Sequence, residues 1–427
     1  MSINGVSLPG PDNITRVELA NGIVVLVYEN FAAQSVVIAG SLEAGSIYEA
    51  REKNGLANLT ASALMRGTKT RDFDTIHSAL EDIGADLDFG AGTHTVGFNG
   101  KALAEDLPVL IDLLTDALLE PTFPAVQVER LRGEIMTGLQ YRMQDTRYRA
   151  GRAFRENLYP ESHPYHYSSS GTLESLPRIT LDDLAAFHRR HYGPKGMLIA
   201  IVGAVKAATA VEIVRERLAG WTNADQPAKA ELPAIDGPSE IQQTHVPIPG
   251  KTQSDIVMGV LGPARKADDY RAAVMVNSIL GQFGMMGRIG DEVREKQGLA
   301  YYASSRIEGG RGPGAWSVSA GVNPANVQRA IDSIVQEIRR IVTEEVSDED
   351  INDNKSFFTG QLPLQLESNE GLAGSILSME AYELGLDYLL HYTERTEALT
   401  KQDLLKAIQH YWNPETYVVA VAGPEAP

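Results

Sequence analysis

Apolar positions along this chain follow two periods, and the places where one gives way to the other mark its elements. VELANGIVVLVYEN has apolar runs on either side of Asn21-Gly22, the dipeptide of a tight reversal, and predicts a hairpin. QSVVIAGSLEAG and QSDIVMGVLGPA are short, almost continuous apolar runs, as strands of a buried core are. DTIHSALEDIGADLDFG reads as a helix stopped by Gly84 and followed by a strand. ALAEDLPVLIDLLTDALLEP places apolar residues three and four apart, the stripe of an amphipathic helix, and NPANVQRAIDSIVQEIRRIV is its counterpart later in the chain. The mixture predicts an α+β class: two homologous layered α/β domains, with antiparallel-rich sheets and helices packed on one face.

The homology of the two domains is visible in the chain itself. Residues 180–203, TLDDLAAFHRRHYGPKGMLIAIVG, align without a gap with residues 400–423, TKQDLLKAIQHYWNPETYVVAVAG. Thr180 matches Thr400, Asp183 matches Asp403, Pro194 matches Pro414 and Gly203 matches Gly423, at a constant offset of 220 (400 − 180 = 220; 423 − 203 = 220). Thr with Asp three positions on predicts a capped helix start. An aromatic and a Pro end that helix, and an apolar run closing at Gly predicts a buried strand. A repeat this long predicts internal duplication. Residues 222–241, rich in Ala, Pro, Asp and Glu and without periodicity, read as a linker. The domains are then 10–221 and 242–425.

Composition narrows the chemistry. The chain has 427 residues and no cysteine, which excludes disulfides, thiol catalysis and thiolate metal sites. A net charge of -18 argues against nucleic acid as a partner and reads as an acidic, solubilising surface. No apolar run reaches the ~20 residues that span a bilayer, and the N-terminus lacks the pattern of a secretory leader. The expected compartment is the cytoplasm, or the periplasm if a leader was removed. No G-x-S-x-G elbow is present, and the glycines of Gly281–Gly287 are not followed by Lys-Ser/Thr, so neither a serine hydrolase nor a nucleotide site is indicated. His163 and His166 lie near Glu161, and His188 and His191 end a helix; neither pair brings an evident third ligand.

Two motifs carry more. Gly55–Thr68 reads GLANLTASALMRGT. It resembles the zinc-binding helix of the pitrilysin/insulinase family of metallopeptidases, the inverzincins, matching its frame at Gly55, Leu56, Ala57, Leu64, Gly67 and Thr68. Where that family has its first His this chain has Asn58. The general-base Glu is Ala61 and the second His is Ser62. The third zinc ligand of the family is a Glu further on, on the stretch corresponding to RGEIMTGLQYR; Glu134 is there, but Gly138 and Leu139 fall where the acid belongs. The resemblance therefore implies no metal site in this chain.

The second motif, REKQGLAYYASS, resembles the family signature in which an Arg and a Tyr stand seven residues apart, here Arg294 and Tyr301. LGQFGMMGRIGDEVRE before it, HPYHYSSSGTLESL and the repeated segment endings extend the likeness over the whole chain. In that family a pair of two-domain chains, or one fused chain, closes around an unfolded peptide; one member supplies zinc and the other the Arg and Tyr. The resemblance is to the non-catalytic subunit of two-subunit bacterial members, similar in role to the alpha subunit of mitochondrial processing peptidase. It implies that Arg294 and Tyr301 act in trans, that Gly281, Gly284 and Gly287 form a substrate-contacting loop, and that a homologous partner holds zinc. Alone, the chain is expected to be inactive. The alternative is a purely structural or binding subunit, like the core subunits of respiratory complexes. Gly298 between the two residues predicts a helix stop, and on a regular strand Tyr301 and Tyr302 point to opposite faces.

Overall fold

The structure is a computed structural model that describes residues 2–3 and 6–425. A short antiparallel pairing of β1 (Ser2–Ile3) with β2 (Val6–Ser7) opens the chain. β3 (Ile14–Glu18), β4 (Val24–Glu29), β5 (Ser35–Leu42), β6 (Asp86–Ala91), β7 (Val96–Leu103) and β8 (Leu198–Gly203) form one sheet in the order β3-β4-β8-β5-β7-β6. β9 (Gln242–Pro247), β10 (Ser254–Leu261), β11 (Ala300–Ile307), β12 (Ala315–Val322) and β13 (Val418–Gly423) form another in the order β11-β12-β10-β13-β9.

The duplication is written in these orders. β4 runs parallel to β8 and β9 parallel to β13, and every other neighbouring pair in the two sheets is antiparallel. Strand for strand, β4-β8-β5-β7-β6 corresponds to β9-β13-β10-β12-β11, and β3 is the addition of the N-terminal hairpin. β8 and β13 are the apolar ends of the 220-residue repeat. The helices before them, Leu181–His191 and Lys401–Tyr411, both start on a reciprocal capping box. Asp183 accepts from the Thr180 N–H at 2.7 Å and Asp403 from the Thr400 N–H at 2.9 Å, so two backbone donors with no partner inside the helix are satisfied at each start.

The compact units do not follow the linear order of the repeat. One comprises the chain up to Leu139, Tyr167–Glu231 and Leu362–His391; the other comprises Gln140–His166, Leu232–Gln361 and Tyr392 onward. In the first, helix Asn369–Ala381 packs against β5 and β8. Its Leu372, Ala373, Ile376 and Met379 are buried outside the main core, as are Val37, Ala39, Ala200 and Val202, the alternate residues of those strands. Asn369 fastens it, donating to Ser35 Oγ at 3.1 Å and accepting from Asn30 at 2.8 Å. In the second, helix Thr146–Leu158 packs on β9, β10 and β13, joining Ala150, Phe154 and Leu158 to Val257, Val418, Ala420 and Ala422. Each sheet thus has its main helical layer and core on one face, and a single helix drawn from the other half of the sequence on its second face. Burying Leu, Ile or Phe side chains contributes about 1.5–3 kcal/mol each, so these single helices are integral to the units they cover.

Residues 222–240 form neither helix nor strand. They are nonetheless held at their start. The side chain of Gln226 accepts from the Lys195 N–H at 3.0 Å and donates to the Lys195 carbonyl at 2.9 Å, and Asn223 donates to the Tyr192 carbonyl at 2.8 Å.

Candidate functional site

The Arg and Tyr of the second motif are displayed by four consecutive segments of one unit. Helix Tyr270–Gly281 leads into the glycine loop, the loop into a π-helix, Gly290–Lys296, and the π-helix into β11. A π-turn closes i→i+5 bonds in place of the i→i+4 bonds of an α-turn, and such turns recur at functional sites. The π-helix ends on Gly298 at φ +60°, where the Gly298 N–H donates to the Arg294 carbonyl and the Leu299 N–H to the Val293 carbonyl. The Gly298 bond is the αL closure expected of a left-handed glycine, the Leu299 bond ties the next residue back to the helix, and the chain leaves at once as a strand.

Arg294 stands on the last turn of the π-helix, 35% exposed, with Nε 3.4 Å from Glu295. Glu292, the neighbour most expected to hold it, is occupied by Lys296 at 3.2 Å and Gln297 at 3.0 Å. The contact with Glu295 is the one ion pair of Arg294 among the described residues, so most of its donors are left without a charged protein partner. Tyr301 is 65% exposed.

Tyr301 and Tyr302 do not alternate as on a regular strand. Ala300 pairs with Val322 and Tyr302 with Gly321, so β11 carries one extra residue at Tyr301. Ala300 and Ala303 both sit in the core, and three positions on a regular strand cannot share a face. The bulge absorbs the mismatch. Neither tyrosine enters that core: Tyr301 is exposed, and Tyr302 is partly buried with its hydroxyl on Asp255 at 2.5 Å.

The three glycines of the preceding loop have different surroundings. A Cβ on Gly281 would come 2.5 Å from the Ser305 backbone nitrogen, and one on Gly287 would come 2.6 Å from the Gly281 nitrogen and the Ile279 carbonyl. These two are close approaches of backbone to backbone. Gly284 has open space around it, and Met285 beside it is exposed. The loop is anchored on both sides of this apex. The Phe283 ring meets Phe357 edge-on at 5.3 Å, and Arg288 is bonded to Asp350 at 2.7 Å. Met286, at φ +75°, has its sulfur 3.3 Å from the Ala303 nitrogen.

In the other unit, helix Leu56–Ala63 follows Gly55. Asn58 and Ser62, four apart, are half-buried on one face of it, whereas Ala61 is fully buried. Glu134 is taken by Arg66 and by Arg130, each at 3.2 Å. A side chain at Gly138 would meet nothing within 4 Å. Among the described residues no group of three His, Asp or Glu side chains is placed to hold a metal ion. A catalytic zinc needs three basic protein donors and a water, and an amide, a methyl and a hydroxyl beside an ion-paired Glu do not make that set. The helix is held by Glu49, whose two carboxylate oxygens accept from the Gly55 and Ala57 N–H groups; sequence reading had no signal for it, because the cap lies outside the helix.

The two histidine pairs are engaged in packing. His163 is buried against Tyr159 at 5.2 Å, with Nδ1 accepting from the Tyr165 N–H, and His166 Nδ1 meets the Tyr159 carbonyl at 2.8 Å. His188 Nε2 meets the Leu118 carbonyl at 2.8 Å, and His191 packs at a tilt against Tyr48 and Phe187. No helix among the described residues is long and apolar enough to cross a membrane.

Comparison with known proteins supplies the relatives of this arrangement. A profile described as insulinase, peptidase family M16, matches residues 24–160, and one described as peptidase M16 inactive domain matches residues 178–357. An uncharacterized zinc protease of Mycobacterium leprae is 27% identical, over 97% of this chain and 92% of its own length. A mitochondrial-processing peptidase subunit beta of Caenorhabditis elegans is 23% identical, over 75% of this chain and 70% of its own. The crystal structure of a peptidase M16 inactive domain from Pseudomonas fluorescens superposes with a TM-score of 0.88 at 25% identity, covering 96% of this chain and 98% of that one. A protease from Helicobacter pylori has the same fold, with a TM-score of 0.88 at 20% identity over 98% of this chain and all (100%) of that one.

Proposed function

The chain belongs to the insulinase, or M16, family of peptidases, and on that footing we propose that it is the non-catalytic subunit of a heterodimeric zinc metallopeptidase. It supplies Arg294 and Tyr301 to the zinc site of a homologous partner and forms half of a closed chamber for an unfolded peptide. The observation that carries this reading is the pairing of a partly exposed Arg294 and an exposed Tyr301 with a zinc-type helix that has Asn58 and Ser62 where the zinc ligands would stand.

The chemistry assigned to this chain is stabilisation of charge. When water adds to a peptide carbonyl, negative charge grows on the oxygen, and a donor aimed at that oxygen is worth about 3–4 kcal/mol. The Tyr301 hydroxyl is such a donor. Arg294 carries a permanent charge and several donors in a fixed fork, suited to substrate carbonyls and to the tetrahedral intermediate. The exposed apex at Gly284 and Met285 is the part of the loop assigned to peptide contact, with Gly281 and Gly287 shaping its base. The peptide itself binds extended, along a sheet edge of the partner.

The test is peptidase activity on an unstructured peptide, with bound zinc measured, for this chain alone and mixed with a zinc-bearing homologue. A zinc-free, inactive chain that raises the partner's activity supports the shared site. Zinc and activity in the chain alone would overturn it, and no effect in the mixture would favour the structural reading.

A further inference from the structure

Beside the exposed Tyr301, Tyr302 is part of a fixed arrangement. Asp255 on β10 is opposite Gly321 on β12, and Gly321 is opposite Tyr302 on β11, so the three residues form one row across three strands. The middle position has no side chain. A Cβ there would lie 2.5 Å from the Tyr302 ring and 2.8 Å from the Gln253 side-chain nitrogen. The ring therefore crosses over the glycine and donates its hydroxyl to Asp255 Oδ1 at 2.5 Å.

The other carboxylate oxygen of Asp255 accepts from Thr146 Oγ at 2.5 Å and from Gln253 at 3.1 Å. Asp255 is 1% exposed, so these bonds to a carboxylate act where water does not compete. The Arg147 guanidinium lies 4.7 Å from the Tyr302 ring centroid. Burial first, and then the Asp255 carboxylate, raise the Tyr302 hydroxyl above the ordinary tyrosine range, so it remains a donor.

We infer that the Asp255–Gly321–Tyr302 row is a positioning device that sets where the extra residue of β11 sits, and so presents Tyr301. β11 is an edge strand, paired only to β12 within its sheet. An edge strand with a bulge can slip its register by one residue, and such a slip turns each side chain to the other face. The Tyr302–Asp255 bond holds the residue directly after the bulge to a strand two places away, across β12. As a fixture of the bulge the row stands on this geometry alone; as a positioning device for catalysis it rests on the role proposed for Tyr301.

The experiment has two readouts. In the chain alone, hydrogen exchange across 299–307 is compared for wild type, Tyr302→Phe and Tyr301→Phe. Tyr302→Phe keeps the ring and the fold, and is expected to speed exchange in β11 about tenfold with β13 unchanged; Tyr301→Phe is expected to leave it alone. Gly321→Ala, which displaces the ring sterically, should reproduce the effect. In the complex with a zinc-bearing homologue, Tyr302→Phe should lower kcat on an unstructured peptide with KM unchanged, and Tyr301→Phe/Tyr302→Phe should be no slower than Tyr301→Phe. Unchanged exchange in Tyr302→Phe overturns the fixture. Additive losses in the double variant overturn the positioning role. Loosened β11 with full turnover in Tyr301→Phe keeps the fixture and removes the function proposed for Tyr301 itself.

Discussion

Glu49 accepts the backbone N–H of Ala57 at 2.9 Å, and with its other oxygen the N–H of Gly55 at 2.9 Å and the side chain of Asn54 at 2.8 Å. Gly55, the residue at the helix start, has no side chain with which to cap it. A carboxylate from outside thus satisfies the first donors of helix Leu56–Ala63, in the field of its N-terminus.

That arrangement predicts a dependence on pH. Burial of the carboxylate pushes the Glu49 carboxyl up to about 7, against its hydrogen bonds, which lower it. The folded value lies above the unfolded one, so between about 4.5 and 7 the folded chain holds more protons. Stability from this group is then fully present at low pH and is lost as pH rises to about 7. The upper bound is about 3 kcal/mol, and less because the residue as a whole is only half-buried. In chemical unfolding between pH 5 and 7.5, wild type should lose stability relative to Glu49→Gln as pH rises; parallel curves would refute the assignment.

The glycines give a prediction of opposite signs. Gly138 lies in helix Ala125–Arg142 with nothing within 4 Å of an added Cβ, so Gly138→Ala should gain about 0.5–1 kcal/mol from the lower entropy of the unfolded chain. Gly281→Ala places a methyl 2.5 Å from the Ser305 nitrogen and should cost about 1–3 kcal/mol. Urea unfolding measures both; a loss in Gly138→Ala would mean that the space beside it is filled.

Which features were legible in the sequence follows from the range of the interactions that make them. The capping boxes at Thr180 and Thr400 depend on residues three apart, and both were readable. The duplication was readable because β8 and β13 end it with similar apolar runs. The placement of helices Thr146–Leu158 and Asn369–Ala381 was not, because periodicity reports that a helix has an apolar face without reporting which sheet receives it. The bulge at Tyr301 depends on the pairing of β11 with β12, so local alternation gave the wrong expectation for two adjacent tyrosines. Asp255 sits inside an apolar run, 47 positions from Tyr302, and only the register across Gly321 joins them. Arg294 and Tyr301 stood out through family resemblance, since an exposed Arg and Tyr have no local signature of their own.

The helix exchange predicts what a half-chain does. A fragment of residues 1–221 lacks Leu362–His391 and bares Val37, Ala39, Ala200 and Val202 of β5 and β8. Leu372, Ile376 and Met379 each contribute about 1.5–3 kcal/mol of burial that the fragment forgoes. The fragment should bind a hydrophobic dye and aggregate, and joining residues 362–391 to it through a flexible linker should restore a cooperative thermal transition. A soluble, cooperatively melting 1–221 fragment would contradict this partition.

The signature residues yield the prediction that bears most directly on function. Tyr301→Phe removes one hydroxyl from an exposed ring, so folding and assembly should be unchanged, while loss of a donor to the developing oxyanion should cut kcat of the complex about a hundredfold. Arg294→Lys keeps the charge and loses the fork. It should be intermediate between wild type and Arg294→Ala, because a point charge still attracts the oxyanion but cannot hold two carbonyls at fixed angles. Steady-state turnover with an excess of zinc-bearing homologue, alongside sedimentation to measure complex formation, separates the two effects. If Tyr301→Phe and Arg294→Ala both assemble and turn over like wild type, this chain supplies only a wall to the chamber, and the shared-site reading fails.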